Sequence, residues 1–211
     1  HSPFNFPVEF QGRHDPWEFA PPVVSPDEFD RLPDVFQSLT ERQKQGILAA
    51  YATSAEFMDR NVGLVLDALD HSSHAPNTLV IFTSDHGYHM GEHGLWQKMS
   101  LFEESSRVPL LIVAPGCEKG QVCSSPVSHV DLYPTLMELC GLTAPEGLQG
   151  QSLVPMLKDT TVKGRGWALT QVTRTLPANQ RKKQAENKQA TDGKQDASPK
   201  SVTTDQPGRY F

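Results

Sequence analysis

Apolar residues in this chain come in short bursts with sharp ends. Leu79-Val80-Ile81-Phe82 is an unbroken apolar run of strand length that stops at Ser84-Asp85-His86-Gly87, which predicts a strand buried on both faces of a parallel sheet. A second run, Leu110 to Ala114, closes at Pro115-Gly116 and predicts a second buried strand. Between them in character, though earlier in the chain, lies a helical period: Ile47, Tyr51, Met58, Val62, Val65 and Leu69 follow Thr40-Glu41-Arg42-Gln43, an N-cap with a capping box. That helix, to about Leu69, is expected to cover one face of the sheet and to reach the first strand through a turn at Pro76-Asn77. Helix-then-strand order is typical of α/β folds. A shorter helix is expected behind Asp131 as its cap, with Pro134 in the first turn, Leu132, Leu136, Met137 and Cys140 on its apolar face, and Gly141 as its stop. Trp167 to Val172 reads as a further strand.

The flanks are different. Residues 1 to about 40 are rich in proline and aromatics without a sustained period, and predict an irregular connection packed on the domain surface. From Pro177 to Ser201 there is no Val, Ile, Leu, Met or aromatic residue, so this stretch is expected to be a mobile insertion that cannot offset its ordering entropy. The expected division is a folded portion over 1–176, the polar insertion over 177–201 and a short C-terminal segment over 202–211. With 211 residues and 37% hydrophobic content, one domain plus a polar segment is the economical reading. A net charge of −6 argues against nucleic acid as partner, since phosphate contacts need clustered Lys and Arg. No apolar run is long enough for a membrane span. Three cysteines at irregular spacing form neither a zinc pattern nor a complete disulfide set.

The chemistry concentrates where the first strand ends. Open α/β folds place ligands at the carboxyl ends of their strands, and there the apolar run gives way to Asp85 and His86, a carboxylate and an imidazole that a cation would use. Gly87, Gly91 and Gly94 allow the following loop to fold back and bring Lys98 to the same place. The combination suggests a metal site for an anionic group. His89, Glu92 and His93, in the same loop, read as loop-stabilising residues; His129 and Asp131 read as capping or packing residues.

The run Ser84-Asp85-His86-Gly87-Tyr88-His89-Met90-Gly91-Glu92-His93-Gly94-Leu95-Trp96-Gln97-Lys98 resembles the C-terminal metal-ligand motif of the sulfatase family, in the form carried by its iduronate-2-sulfatase and choline-sulfatase members. Arg107-Val108-Pro109-Leu110-Leu111-Ile112-Val113-Ala114-Pro115-Gly116 resembles the strand that follows, and Val130-Asp131-Leu132-Tyr133-Pro134-Thr135-Leu136 and Leu148-Gln149-Gly150-Gln151-Ser152-Leu153 resemble the downstream helix and loop. The similarity runs from His1 to about Asp159.

The resemblance implies part of a mixed, mostly parallel α/β sheet flanked by helices, in the alkaline-phosphatase-like sulfatase fold. It implies hydrolysis of sulfate esters, with Asp85 and His86 as ligands of a Ca²⁺ for which Mn²⁺ is a credible substitute, and Lys98 as the active-site lysine that contacts sulfate oxygens. His1, through the match of His1-Ser2-Pro3-Phe4 to the family's His-x-Pro-Phe segment, corresponds to an active-site histidine that contacts sulfate or assists leaving-group protonation. A sulfated small molecule or saccharide is the implied substrate, and a secreted, periplasmic or lysosomal location the implied compartment. The family's nucleophile is a formylglycine made from the cysteine of Cys-x-Pro/Ala-x-Arg, and Cys117, Cys123 and Cys140 all lack that pattern. The chain therefore reads as the C-terminal portion of a longer sulfatase, inactive by itself. A phosphoesterase of the same superfamily and a noncatalytic cation-binding fragment are the two alternatives.

Overall fold

The computed structural model describes residues 4–117 and 120–172. His1, the expected insertion over 177–201, the segment over 202–211 and the boundary at 176 lie outside the described residues.

The chain enters through two single-turn 3₁₀ segments, Val8–Phe10 and Pro16–Glu18, and two one-turn helices, α1 (Pro26–Phe29) and α2 (Asp34–Gln37). Each turn is started by local chemistry: Asp15 accepts the Trp17 N–H, Ser25 accepts the Glu28 N–H, and Pro16 and Pro26 occupy first-turn positions where their missing N–H costs little. The irregular entry thus has its own caps. It is anchored by Phe10, 1% exposed, which packs edge-on to Phe57 with its ring centroid 5.2 Å away, while the Arg13 and Arg60 guanidinium groups lie over its ring. Arg13 also pairs with Glu56.

Phe57, Glu56 and Arg60 belong to α3 (Glu41–Asp70), which begins at the expected capping box. Thr40 Oγ1 accepts the Gln43 N–H at 3.3 Å and the Thr40 N–H donates to Gln43 Oε1 at 2.9 Å. The helix packs on the Pro16–Glu18 turn and fully buries Ala49 and Thr53, with Thr53 Oγ1 returning its hydrogen to the Ala49 carbonyl at 2.8 Å. Its expected apolar face is less covered than the period suggested, since Tyr51, Met58 and Val65 are 40%, 46% and 68% exposed. Small residues at positions 49 and 53 allow close approach, and that contact decides which face turns inward.

A 3₁₀ turn at Ala75–Asn77 leads into β1 (Val80–Thr83), and β2 (Leu110–Val113) pairs with it antiparallel, Val80 opposite Val113 and Thr83 opposite Leu110. Both strands fall where the apolar runs placed them. Their surroundings differ from the expectation of two covered faces in a parallel sheet: among the described residues they form a two-stranded antiparallel ribbon, and Phe82, Leu111 and Val113 keep substantial exposure. Apolar content marks a strand that can be covered, and only neighbouring strands and helices cover it. Beyond β2, a 3₁₀ turn at His129–Asp131 runs into α5 (Leu132–Leu139), and α6 (Val154–Lys158) packs against it. Gly141, at φ +68°, ends α5 as expected, with the Leu142 N–H closing back on the Met137 carbonyl at 2.8 Å. Trp167 to Val172 forms no strand; it has no strand partner among the described residues, and both Trp167 and Leu169 are exposed.

Asp131 does not cap α5 with its side chain. Its carboxylate, 1% exposed, is a hub: Oδ2 accepts the Ser128 N–H at 2.9 Å, and Oδ1 accepts the Gln151 N–H at 2.9 Å and a hydrogen bond from the Arg165 guanidinium. Thr135, fully buried, adds a second tie by donating to the Asp131 carbonyl at 2.5 Å and accepting the Leu153 N–H at 2.9 Å. Residues 149–165 are thereby fastened to the start of α5 by groups that satisfy one another.

Candidate active site

The site begins where β1 ends. Leaving the strand, Ser84 Oγ donates to the His86 carbonyl at 2.7 Å and Asp85 Oδ1 accepts the His86 N–H at 3.1 Å, so this turn is held by its own polar groups. Gly87 then passes so close to α4 (Glu103–Ser106) that a Cβ there would stand 2.1 Å from the Glu104 carbonyl oxygen. Its N–H donates to the Ser105 carbonyl at 2.9 Å. No other residue fits between these two backbones.

Asp85, His86 and Lys98 come together as the sequence predicted. His86 Nε2 lies 3.2 Å from Asp85 Oδ2 and 2.6 Å from Lys98 Nζ. The tautomer of the neutral ring follows from its other nitrogen: Nδ1 lies 2.7 Å from the Gly87 carbonyl, which can only accept, so Nδ1 carries the hydrogen and Nε2 presents a lone pair. Lys98 donates to that lone pair. A carboxylate oxygen and an imidazole lone pair thus converge on one spot, an arrangement that needs a positive charge between them. Asp85 is 79% exposed and His86 26%, and both line an open cleft with Lys98, Ser105 and Arg107.

The donor set can be tested against a divalent cation. Two ligand atoms at right angles on a Ca²⁺ with bonds of about 2.3 Å would be about 3.3 Å apart, and the Asp85–His86 pair is close to that separation. Among the described residues no third His, Cys, Asp or Glu completes a cluster. The two residues would make one side of a cation site, and further ligands would have to come from outside them. His1, the fourth residue singled out, lies outside the described residues.

The loop between His86 and Lys98 is held by the residues expected to stabilise it. His89 is completely buried and its Nε2 lies 2.6 Å from Ser100 Oγ; burial holds its pKa below the ordinary imidazole value, with the carboxylates of Glu104 and Glu92 partly opposing. Glu92 accepts the Met90 N–H at 2.6 Å. His93, at φ +55°, stacks on Phe102 and places Nδ1 2.8 Å from Glu28 Oε1 of α1, which lowers the Glu28 pKa. Gly91 is wedged against Trp96 and Pro22. Sequence reasoning missed Ser100, Ser105 and Glu28, whose roles depend on contacts that no local spacing announces.

The Sulfatase family model matches residues 1–142, and the chain belongs to the sulfatase family. It is 42% identical over 123 residues to arylsulfatase K of Danio rerio, which covers 58% of this chain and 24% of that protein. Among solved structures it is similar to the phosphonate monoester hydrolase SpPMH from Silicibacter pomeroyi, with TM-score 0.69 and 28% identity over 80% of this chain and 37% of the other. It is also similar to BT4656, solved in complex with its substrate D-glucosamine-2-N,6-O-disulfate, with TM-score 0.57 and 31% identity over 61% of this chain and 26% of the other. These likenesses assign the described residues to part of the α/β, alkaline-phosphatase-like fold. The chain spans about a quarter of the length of the curated relatives it matches.

Proposed function

We propose that this chain supplies the cation-and-lysine half of a sulfatase active site and that the longer enzyme hydrolyses sulfate esters of a sulfated saccharide. The observation that carries the reading is the convergence of Asp85 Oδ2, His86 Nε2 and Lys98 Nζ at the carboxyl end of β1. Asp85 and His86 would hold a Ca²⁺, with Mn²⁺ as the substitute that the imidazole nitrogen favours. When bound, such a cation polarises sulfate oxygens as a Lewis acid. Lys98, delivered from the opposite side of the loop, places a positive charge where the ester oxygens develop negative charge. His86 is kept as a ligand by Gly87, whose carbonyl fixes the tautomer. The nucleophile and the remaining ligands belong to chain outside these residues, and His1 is proposed as a histidine that contacts sulfate or protonates the leaving alcohol.

The saccharide rests on the likeness to a protein whose structure holds D-glucosamine-2-N,6-O-disulfate. No helix among the described residues is long and apolar enough to cross a membrane, and a secreted, periplasmic or lysosomal compartment is proposed from family membership. The test uses the full-length enzyme with three substrates: an aryl sulfate, a sulfated glucosamine and a phosphonate monoester. Sulfate-ester turnover that disappears on chelation and returns with Ca²⁺ is expected. Faster turnover of the phosphonate monoester than of either sulfate ester would assign the site to phosphoryl chemistry instead.

A further inference from the structure

Five hydrogen bonds tie the backbone around Lys98 to the segment that carries Asp85 and His86, and none of them involves the lysine's side-chain nitrogen. The Lys98 carbonyl accepts from Ser105 Oγ and from the Ser100 N–H at 3.0 Å. Ser105 in turn accepts the Gly87 N–H through its own carbonyl, one residue after His86. On the other side, the His89 N–H donates to the Gln97 carbonyl at 3.1 Å, and the His89 ring reaches Ser100 Oγ at 2.6 Å. Ser100 Oγ also accepts the Phe102 N–H at 3.2 Å, so this hydroxyl joins the His89 ring to the backbone of residue 102. His89, Ser100 and Ser105 are all buried, so these bonds have no competing solvent.

From this arrangement we infer that His89, acting through Ser100, is a positioning residue for Lys98: it fixes the backbone from which the lysine reaches His86 Nε2. The Lys98 stem has four rotatable bonds, and its amine can meet a sulfate oxygen and the ligand side chains together only if its Cα is held. The bonds to Gln97, Ser100 and Ser105 hold it. His89 suits the role because it is sealed from water and stacked edge-on to Phe102 at 5.9 Å, so its ring cannot swing away from Ser100. The inference rests on the proposed function for its catalytic consequence, while the positioning itself can be measured without turnover.

The experiment has two arms. In the 211-residue chain, acylation of the Lys98 amine is followed by peptide mass spectrometry, with Lys158 and Lys163 as internal references. His89→Leu and Ser100→Ala are expected to raise the labelling rate of Lys98 several-fold without changing the references, whereas His89→Gln, whose amide takes the place of Nε2, keeps it near the parent rate. Should His89→Leu fail to fold, Ser100→Ala decides. In the full-length enzyme, Ser100→Ala should lower kcat/KM for a sulfate ester by about 10- to 100-fold with metal content unchanged, and should cost nothing further in a Lys98→Ala background. Unchanged Lys98 labelling in the folded variants, or an equal kcat/KM loss with and without Lys98, overturns the inference. A parent enzyme without sulfate-ester turnover would sink the functional reading alone, and the labelling arm would still judge the positioning.

Discussion

Lys98 Nζ stands 2.6 Å from His86 Nε2, on the same ring nitrogen that faces Asp85 Oδ2 at 3.2 Å. The lone pair that would bind a cation here accepts from the Lys98 amine instead. The two side chains of opposite charge on either side of it divide the work differently, and their variants should separate.

In the full-length enzyme, Asp85→Ala removes the carboxylate proposed as a metal ligand and is expected to lower metal content and activity together. Lys98→Ala is expected to lower kcat by about 10²- to 10³-fold, the loss typical of removing one donor to developing charge, with metal retained. Metal analysis beside steady-state kinetics checks the split; equal metal loss in both variants contradicts it. The 211-residue chain alone, which carries no Cys-x-Pro/Ala-x-Arg sequence, should show no turnover of an aryl sulfate.

Gly87→Ala should destabilise the chain by about 1–3 kcal/mol, because its Cβ would meet the Glu104 carbonyl oxygen at 2.1 Å and backbone cannot step aside as a side chain would. Gly63→Ala makes a matched control: it lies inside α3, where an added Cβ meets nothing within 4 Å, and should stabilise by about 0.5–1 kcal/mol through helix propensity. Denaturant melts of both variants check the opposite signs.

Much of this could be read from the chain because the signals are local. The capping box at Thr40 and Gln43 spans four residues, and the strand ends at Thr83 and Val113 follow from apolar runs that stop at polar or turn residues. Asp85, His86 and Lys98 were legible as a group through their motif, and geometry unites them. The burial of β1 and β2 was not legible, since it depends on which elements lie above and below them. The same holds for partners distant in sequence: Glu28 meets His93 across 65 positions, and Asp131 meets Gln151 and Arg165 across 20 and 34. A buried carboxylate one residue before an amphipathic helix looks like a cap until the Arg165 that neutralises it is seen.

Asp131→Ala leaves that arginine and two backbone N–H groups without their acceptor. The cost of breaking a buried pair from one side is about 3–5 kcal/mol, and the low end is expected here because the Arg165 side chain keeps 26% exposure. Arg165→Met should cost less, since the Asp131 carboxylate retains the Ser128 and Gln151 N–H groups. Chemical denaturation of the two variants tests the order; a larger loss for Arg165→Met reverses the assignment of Asp131 as the hub.

The last prediction concerns pH and rests on His89. Burial lowers its pKa below the ordinary value of 6.5, while Glu104 and Glu92 raise it somewhat and His93, paired to Glu28 on its far side, lowers it. As pH falls through 6.5 the unfolded chain takes up a proton at this ring and the folded chain does not. Unfolding is therefore favoured by acid: the stability attached to His89 is unaffected above 6.5, declines as pH drops below it and levels off beneath the folded pKa. The informative quantity is the difference between the parent chain and His89→Leu. Denaturant melts of both from pH 8 to pH 5 should diverge only on the acid side, the parent losing stability faster. A constant difference across that range would show that folding leaves the His89 pKa unmoved, and a parent that gains on His89→Leu in acid would show that the fold favours the protonated ring; either outcome contradicts the lowered pKa.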